Sequence, residues 1–155
     1  MEHNVPWLKV ALAALFGAGS AIWGWFGWLV LAWVLCMAGD YLTGSAAAIK
    51  RKNWNSDRAR AGLWKKAGML FAVCVAVGLD LLVGLILRGT HIRLPWDYTV
   101  LIAPLVICWY CLTELGSILE NAHKLGAPLP GWLKKLLESA KQSVDDAGEG
   151  ISGKK

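Results

Sequence analysis

Three carboxylates interrupt the long apolar stretches of this chain: Asp40, Asp80 and Glu114, each inside or near the end of such a stretch. An Asp at the centre of a membrane helix costs about 2.5–3.5 kcal/mol on the insertion scale. Intramembrane acids therefore turn away from lipid, where they pair with other groups, relay protons or mark an ion path. Their neighbours narrow the choice. The i±4 row through Asp40 reads Ala32, Cys36, Asp40, Gly44, Ala48, and the row through Asp80 reads Gly68, Ala72, Ala76, Asp80, Gly84. Small residues are where membrane helices approach closely. Further on, Cys111, Glu114, Ser117 and Asn121 share one helical face. Asp40, Gly44, Ala76, Asp80, Gly84, Glu114 and Ser117 are thus candidate helix-packing and oligomerisation residues. They meet within one chain, as protonated or hydrogen-bonded groups, or between subunits.

Other chemistry is sparse. Cys108 and Cys111 have a C-x-x-C spacing, but they lie in an apolar segment without the further ligands or polar flank that a zinc or redox site needs. His3, His91 and His123 are far apart and form no recognisable ligand set. No G-x-S-x-G, H-E-x-x-H or phosphate-loop motif occurs, so neither a catalytic constellation nor a cofactor or metal site is expected.

The elements that must hold the acids follow from composition. Of 155 residues, 56% are hydrophobic and mean hydropathy is +0.45. Residues 10–39 carry no charge, far beyond the run of about 18 that marks a membrane span. Residues 7–49 as one helix would extend about 64 Å, twice the hydrocarbon thickness, and so must fold back. The corner falls at "WGWFGW", where two glycines permit a turn and three tryptophans suit the membrane interface. The sequence therefore reads as an all-α membrane protein with about four transmembrane helices, at residues 7–22, 28–49, 67–87 and 99–119. The first is short enough to be interfacial or tilted instead, and a cleaved signal peptide is a weaker alternative for it. Between the last two spans, "HIRLPWDY" reads as a connector with interfacial Trp96 and Tyr98. A C-terminal amphipathic helix follows over 131–144, with Trp132, Leu133, Leu136, Leu137, Ala140 and Val144 on one face, and then a tail of disordered composition. The domains are residues 1–122, transmembrane, and 123–155, cytoplasmic.

Charge orients the set. Lys50, Arg51, Lys52, Arg58, Arg60, Lys65 and Lys66 crowd residues 50–66, opposed only by Asp57. Basic short loops stay cytoplasmic, so an even number of spans places both termini there too. Pinned between spans, these residues are expected to meet anionic lipid headgroups rather than nucleic acid. Asn55 or Ser56 can cap the next helix, with Asp57 at its positive end.

The stretch "DYLTGSAAAIKRKNWNSDRARAGLWKKAG" resembles the hallmark region of the phage-lysis and toxin-secretion holin family: Asp-Tyr-x-Thr-Gly closing one helix, a basic loop with Ser, then Gly-Leu-x-x-Lys opening the next. Here these are Asp40, Tyr41, Thr43, Gly44, Ser56, Gly62, Leu63 and Lys66. Asp80 matches the acid of the following helix, and Glu114, Ser117, Glu120, Asn121, Gly126, Pro128 and Pro130 match a second signature. The resemblance covers most of residues 23–137. It implies a protein of the bacterial cytoplasmic membrane without enzyme activity. Such a protein accumulates in the inner membrane, then self-assembles at a set time into lesions that release an endolysin or a toxin, with no stable binding of that cargo. From the residues alone, a small proton-coupled transporter or channel built on the same acids is the main rival, and a structural membrane adaptor is third.

Overall fold

A computed structural model describes residues 6–90 and 100–153, with side chains from residue 24 onward except that of residue 58. The expected "HIRLPWDY" connector lies outside the described residues. Within them the chain is all-helical: α1 (Pro6–Lys50), α2 (Ser56–Gly89), α3 (Ile102–Leu125) and α4 (Gly131–Ser152). Three segments are long and apolar enough to cross a membrane: Gly24–Lys50, Ala59–Gly89 and Ile102–Leu125.

α1 is broken where the sequence places its corner. Gly24 has φ 55° and ψ −153°, a conformation open to glycine and strained for any L side chain. The backbone is helical on both sides, so residues 7–22 do form a helix, separated from the long apolar segment by this one residue.

The basic segment differs most from expectation. Only residues 51–55 form the connection; Lys50 ends α1, and residues 56–66 are the first turns of α2, which begins at Ser56 rather than near 67. Asn55 is the cap, its Oδ1 accepting the Asp57 N–H at 2.7 Å. This cap outweighs the polar composition of the stretch and lets the helix start three turns early. α1 ends in a Schellman arrangement: Lys52 N–H donates to Ile49 O and Asn53 N–H to Ala48 O, with Lys52 itself at φ 52°. α3 ends the same way around Gly126, at φ 100°. Lys50 Nζ donates to the Leu125 carbonyl, tying the ends of α1 and α3 together. The α1–α2 turn and the α3–α4 connection therefore share one end of the bundle, here called the basic end.

α3 is the central element. It packs on both α1 and α2, which barely touch one another, and α4 folds back along it. The core is small: Trp33, Met69, Val73 and Ile107, with Trp33 stacked on Tyr110 at 6.1 Å between ring centres. Outside it, Leu35, Leu42, Leu70, Phe71, Val75 and Leu85 are among many large apolar side chains left exposed. Soluble monomers rarely expose such an area; a bilayer would cover it.

α4 also runs further than expected, to Ser152, through "DDAGEGIS". Gln142 Nε2 donates to Asp146 one turn on, at 2.9 Å, a short-range support that composition alone did not reveal.

Candidate functional site

The acids fall at two levels. Asp80, 2% exposed, lies near the far end of α2 and reaches the start of α3. Its Oδ1 accepts the N–H groups of Leu101 and Ile102 at 3.1 and 2.9 Å, and its Oδ2 that of Ala103 at 2.7 Å. The residue before α3, Leu101, has no side chain able to cap it. An acid on another helix supplies the cap, and its negative charge meets the positive end of the helix dipole. Pro104 follows within this first turn, where a missing N–H costs nothing.

The other two acids meet at the basic end. Lys66, near the start of α2, lies between them: its Nζ is 2.9 Å from Asp40 Oδ2 on α1 and 2.5 Å from Glu114 Oε2 on α3. Asn121 Nδ2 donates to the second Asp40 oxygen at 3.1 Å, and Lys124 Nζ reaches Asn121 Oδ1 at 3.4 Å. The side chains of Lys66, Asp40 and Glu114 are 13%, 22% and 4% exposed. One cation between two carboxylates on three helices holds the bundle together at a single depth. Residues 67–87 extend about 31 Å as helix, close to the hydrocarbon thickness, so Lys66 and its partners sit at the edge of the apolar layer. Asp40 is thus not at a span centre, which lowers the cost of its charge. Above the trio a half-open cavity of about 400 Å³ is lined by Tyr41, Gly44, Arg51, Lys65, Ser117 and Lys124 among others.

The residues singled out from sequence divide accordingly. Asp40, Gly44, Glu114 and Ser117 come together around Lys66 and the cavity. A Cβ on Gly44 would lie 3.3 Å from Asn121 Nδ2, so that glycine marks a close approach of α1 and α3. Ala76 and Asp80 are buried under α3, but Gly68 is exposed and a Cβ on Gly84 would meet nothing within 4 Å. The five-residue row therefore does not form one seam. Each i+4 step turns about 40° around the helix, so its ends point elsewhere. Arg51, Lys52, Arg60 and Lys65 are exposed, as a surface role requires, and Lys50 is spent on Leu125. The side chain of Arg58 lies outside the described residues. Lys66 is the correction: assigned from sequence to the membrane surface, it is turned inward. Asp40 and Lys66 each lie thirteen residues from Asn53, the middle of the connection. Antiparallel helices bring such residues level, a signal available once α2 is started at Ser56. Cys36 on α1 lies against Cys111, a pairing the C-x-x-C spacing did not suggest.

The family model described as the bacteriophage holin family matches residues 17–142. Among curated proteins the chain is similar to an uncharacterised 14.9 kDa protein in the nagH 3′ region of Clostridium perfringens, at 32% identity over 89% of this chain and 96% of that one. It is also similar to uncharacterised proteins of Halalkalibacterium halodurans, at 29% over 91% and 96%, and of Listeria monocytogenes, at 30% over 88% and 86%. No solved structure matches the chain.

Proposed function

The chain belongs to the bacteriophage holin family, and on that premise we propose that it accumulates in the bacterial cytoplasmic membrane and self-assembles into lesions that release an endolysin or a toxin. The observation that carries the reading is how little the three spans cover one another. Many of their large apolar side chains, above all on α1 and α2, are exposed around a core of four residues. Among the described residues the polar ties between the spans are the trio with Asn121, the Asp80 cap and the Lys50–Leu125 bond, which leave wide helical faces for lipid or for further copies. No catalytic role enters this reading.

The basic end is cytoplasmic in this reading, with Arg51, Lys52, Arg60 and Lys65 against anionic headgroups. The C-terminus is then inside, with α4 on the inner leaflet as an amphipathic helix, and the N-terminus is inside too when residues 7–22 cross as a fourth span. A periplasm-active reporter fused after Lys52 should be silent, and one after His91 should give signal; the reverse would overturn the orientation. The test of function is induced expression in bacteria while membrane potential and release of a cytoplasmic enzyme are followed. A delayed, sudden loss of both is expected.

A proton-coupled transporter or channel is the second reading. It draws on the cavity above Lys66, Asp40 and Glu114, a charged site at the edge of the apolar layer. Ion-selective flux with the cytoplasmic enzyme retained would favour it.

A further inference from the structure

The cavity above the trio has small residues for walls and cations around it. Gly44, Ala48, Ala59 and Gly62 line it on α1 and α2, two helices that barely touch. A Cβ on Gly62 would meet nothing within 4 Å, so no neighbour closes the space there. Four cations face two carboxylates in its lining. Both carboxylates, Asp40 and Glu114, are shared by Lys66. The other three cations come from three parts of the chain: Arg51 from the connection after α1, Lys65 from α2 and Lys124 from α3. Among the described residues none of the three has a carboxylate at ion-pair distance. Lys124 reaches Asn121 only at 3.4 Å, a long bond and easily given up. A recess lined in this way draws in an anion.

Its position says which kind. The trio marks the edge of the apolar layer, and Lys65 stands beside Lys66 at that level. Arg51 is eleven residues beyond Asp40, and Lys124 is ten beyond Glu114. The cavity thus extends outward by up to about 15 Å, through the layer of lipid headgroups. Tyr41 and Trp54 also line it, 45% and 52% exposed; both residue types settle where a membrane meets water. Asn53 and Asn55 lie toward the outer end, and Asn55 keeps its amide N–H groups to donate, since its Oδ1 already accepts from Asp57. Below, the sparse contact between α1 and α2 leaves a groove for acyl chains. Cations at the phosphate level, amides outside them and an apolar groove beneath follow the order of groups along a phospholipid.

We propose that this cavity binds the headgroup of one anionic phospholipid, its phosphodiester held by Arg51, Lys65 and Lys124 and its glycerol hydroxyls by Asn53 and Asn55. This deepens the reading of the basic end given above and rests on it: one saturable site is added to the diffuse attraction of exposed cations. The bonds to phosphate are charge-assisted and stronger than neutral ones. The bound phosphate fastens α1, α2 and α3 a second time, outside the trio, so the lipid stabilises the folded chain.

The test uses the full-length chain in zwitterionic micelles, titrated with phosphatidylglycerol and followed by native mass spectrometry and thermal unfolding. One phosphatidylglycerol per chain should be retained, with a saturable rise in unfolding temperature; phosphatidylcholine should give neither. Arg51→Gln, Lys65→Gln and Lys124→Gln together should weaken retention about tenfold or more, at an unchanged unfolding temperature without the lipid. Gly62→Leu fills the cavity with every cation in place and should weaken retention likewise. Lys52→Gln with Arg60→Gln, outside the cavity lining, should cost far less. Equal loss from the two charge sets, or retention untouched by Gly62→Leu, would overturn the site and leave the diffuse headgroup reading standing. Inorganic phosphate that raises the unfolding temperature as far as phosphatidylglycerol does would assign the cavity to a soluble anion and overturn the lipid. Lipid held by the cavity cations, together with periplasmic signal from the reporter after Lys52, would sink the cytoplasmic orientation and leave the site.

Discussion

The two ends of the bundle handle buried acid in opposite ways. At the Asp80 end one carboxylate serves the backbone: its two oxygens take three N–H groups from the start of α3. At the basic end two carboxylates serve a side chain, sharing Lys66. The first arrangement sets where α3 begins. The second fastens α1, α2 and α3 at one level, and it is needed because α1 and α2 make almost no contact of their own. A helix cap is made by acceptor oxygens, to which a negative charge adds through the helix dipole. A shared cation depends on charge and leaves two acids facing each other when it is lost. The same residue type thus meets the backbone start of a helix at one end and a side-chain cation at the other.

The largest effect is expected from removing the shared cation. Lys66→Met leaves two carboxylates without their shared cation at the edge of the apolar layer. Breaking such a buried pair on one side costs about 3–5 kcal/mol. Thermal unfolding in detergent micelles should show the loss. Adding Asp40→Asn and Glu114→Gln to Lys66→Met should recover much of it, since no uncompensated charge then remains. If the triple variant is as unstable as the single, the trio acts through packing rather than charge, and the contrast between the ends fails.

Next comes the cap. Asp80→Leu removes the acceptor for three backbone N–H groups, of which that of Ala103 is fully buried. The cost is about 2–3 kcal/mol, because leaving a buried donor unmade is dearer than losing an exposed one. Asp80→Asn keeps one acceptor oxygen, enough for Leu101 and Ile102, and turns an amide N–H₂ toward Ala103. It should lose about 1 kcal/mol, within the range of a single hydrogen bond. Micelle unfolding of the two variants decides the matter: an Asn variant as unstable as Leu would mean that the second oxygen, facing the buried Ala103 N–H, or the negative charge holds the start of α3, and not the bonds to Leu101 and Ile102.

This cap marks the limit of what the sequence discloses. Asp80 reads as a buried acid on a small-residue row, and Ala76 and Asp80 are indeed buried. That its oxygens face the first N–H groups of another helix depends on where α3 begins, and Leu101 gives no local sign of a start. The all-helical architecture, the break near Gly24 and the Asn55 cap are legible because each is local: a period, a glycine, a side chain two residues from its N–H. The role of Lys66 is hidden by the habit of reading a basic cluster as a loop. Seven bases within residues 50–66 look alike by composition, and only the extended start of α2 separates the one turned inward from those that stay outside.

A smaller effect probes the rim of the trio. Asn121→Ala removes the N–H···O bond to Asp40 but leaves Lys66 between its two acids. Loss of about 1 kcal/mol in micelle unfolding is expected, the net worth of one hydrogen bond. A loss as large as that of Lys66→Met would make Asn121 an equal member of the fastening rather than a trim on it.

The smallest effect separates a glycine that faces a neighbour from one that faces nothing. Gly→Ala in a helix gains about 1 kcal/mol from propensity where there is room. At Gly84 a Cβ meets nothing within 4 Å, so Gly84→Ala should raise micelle stability toward that value. At Gly44 the new methyl would lie 3.3 Å from Asn121 Nδ2, tighter than ordinary contact, and Asn121 can yield only by stretching its bond to Asp40. Gly44→Ala should therefore gain little or lose a few tenths of a kcal/mol, since overpacking offsets propensity. Equal gains at both positions would show that Asn121 moves freely and that α1 and α3 do not depend on the close approach at Gly44. Gly84→Leu carries the comparison into the membrane. The monomer has room for the larger side chain, so any fall in cross-linked oligomers at unchanged membrane abundance would place Gly84 on a contact between copies. Unchanged oligomers would leave its face to lipid.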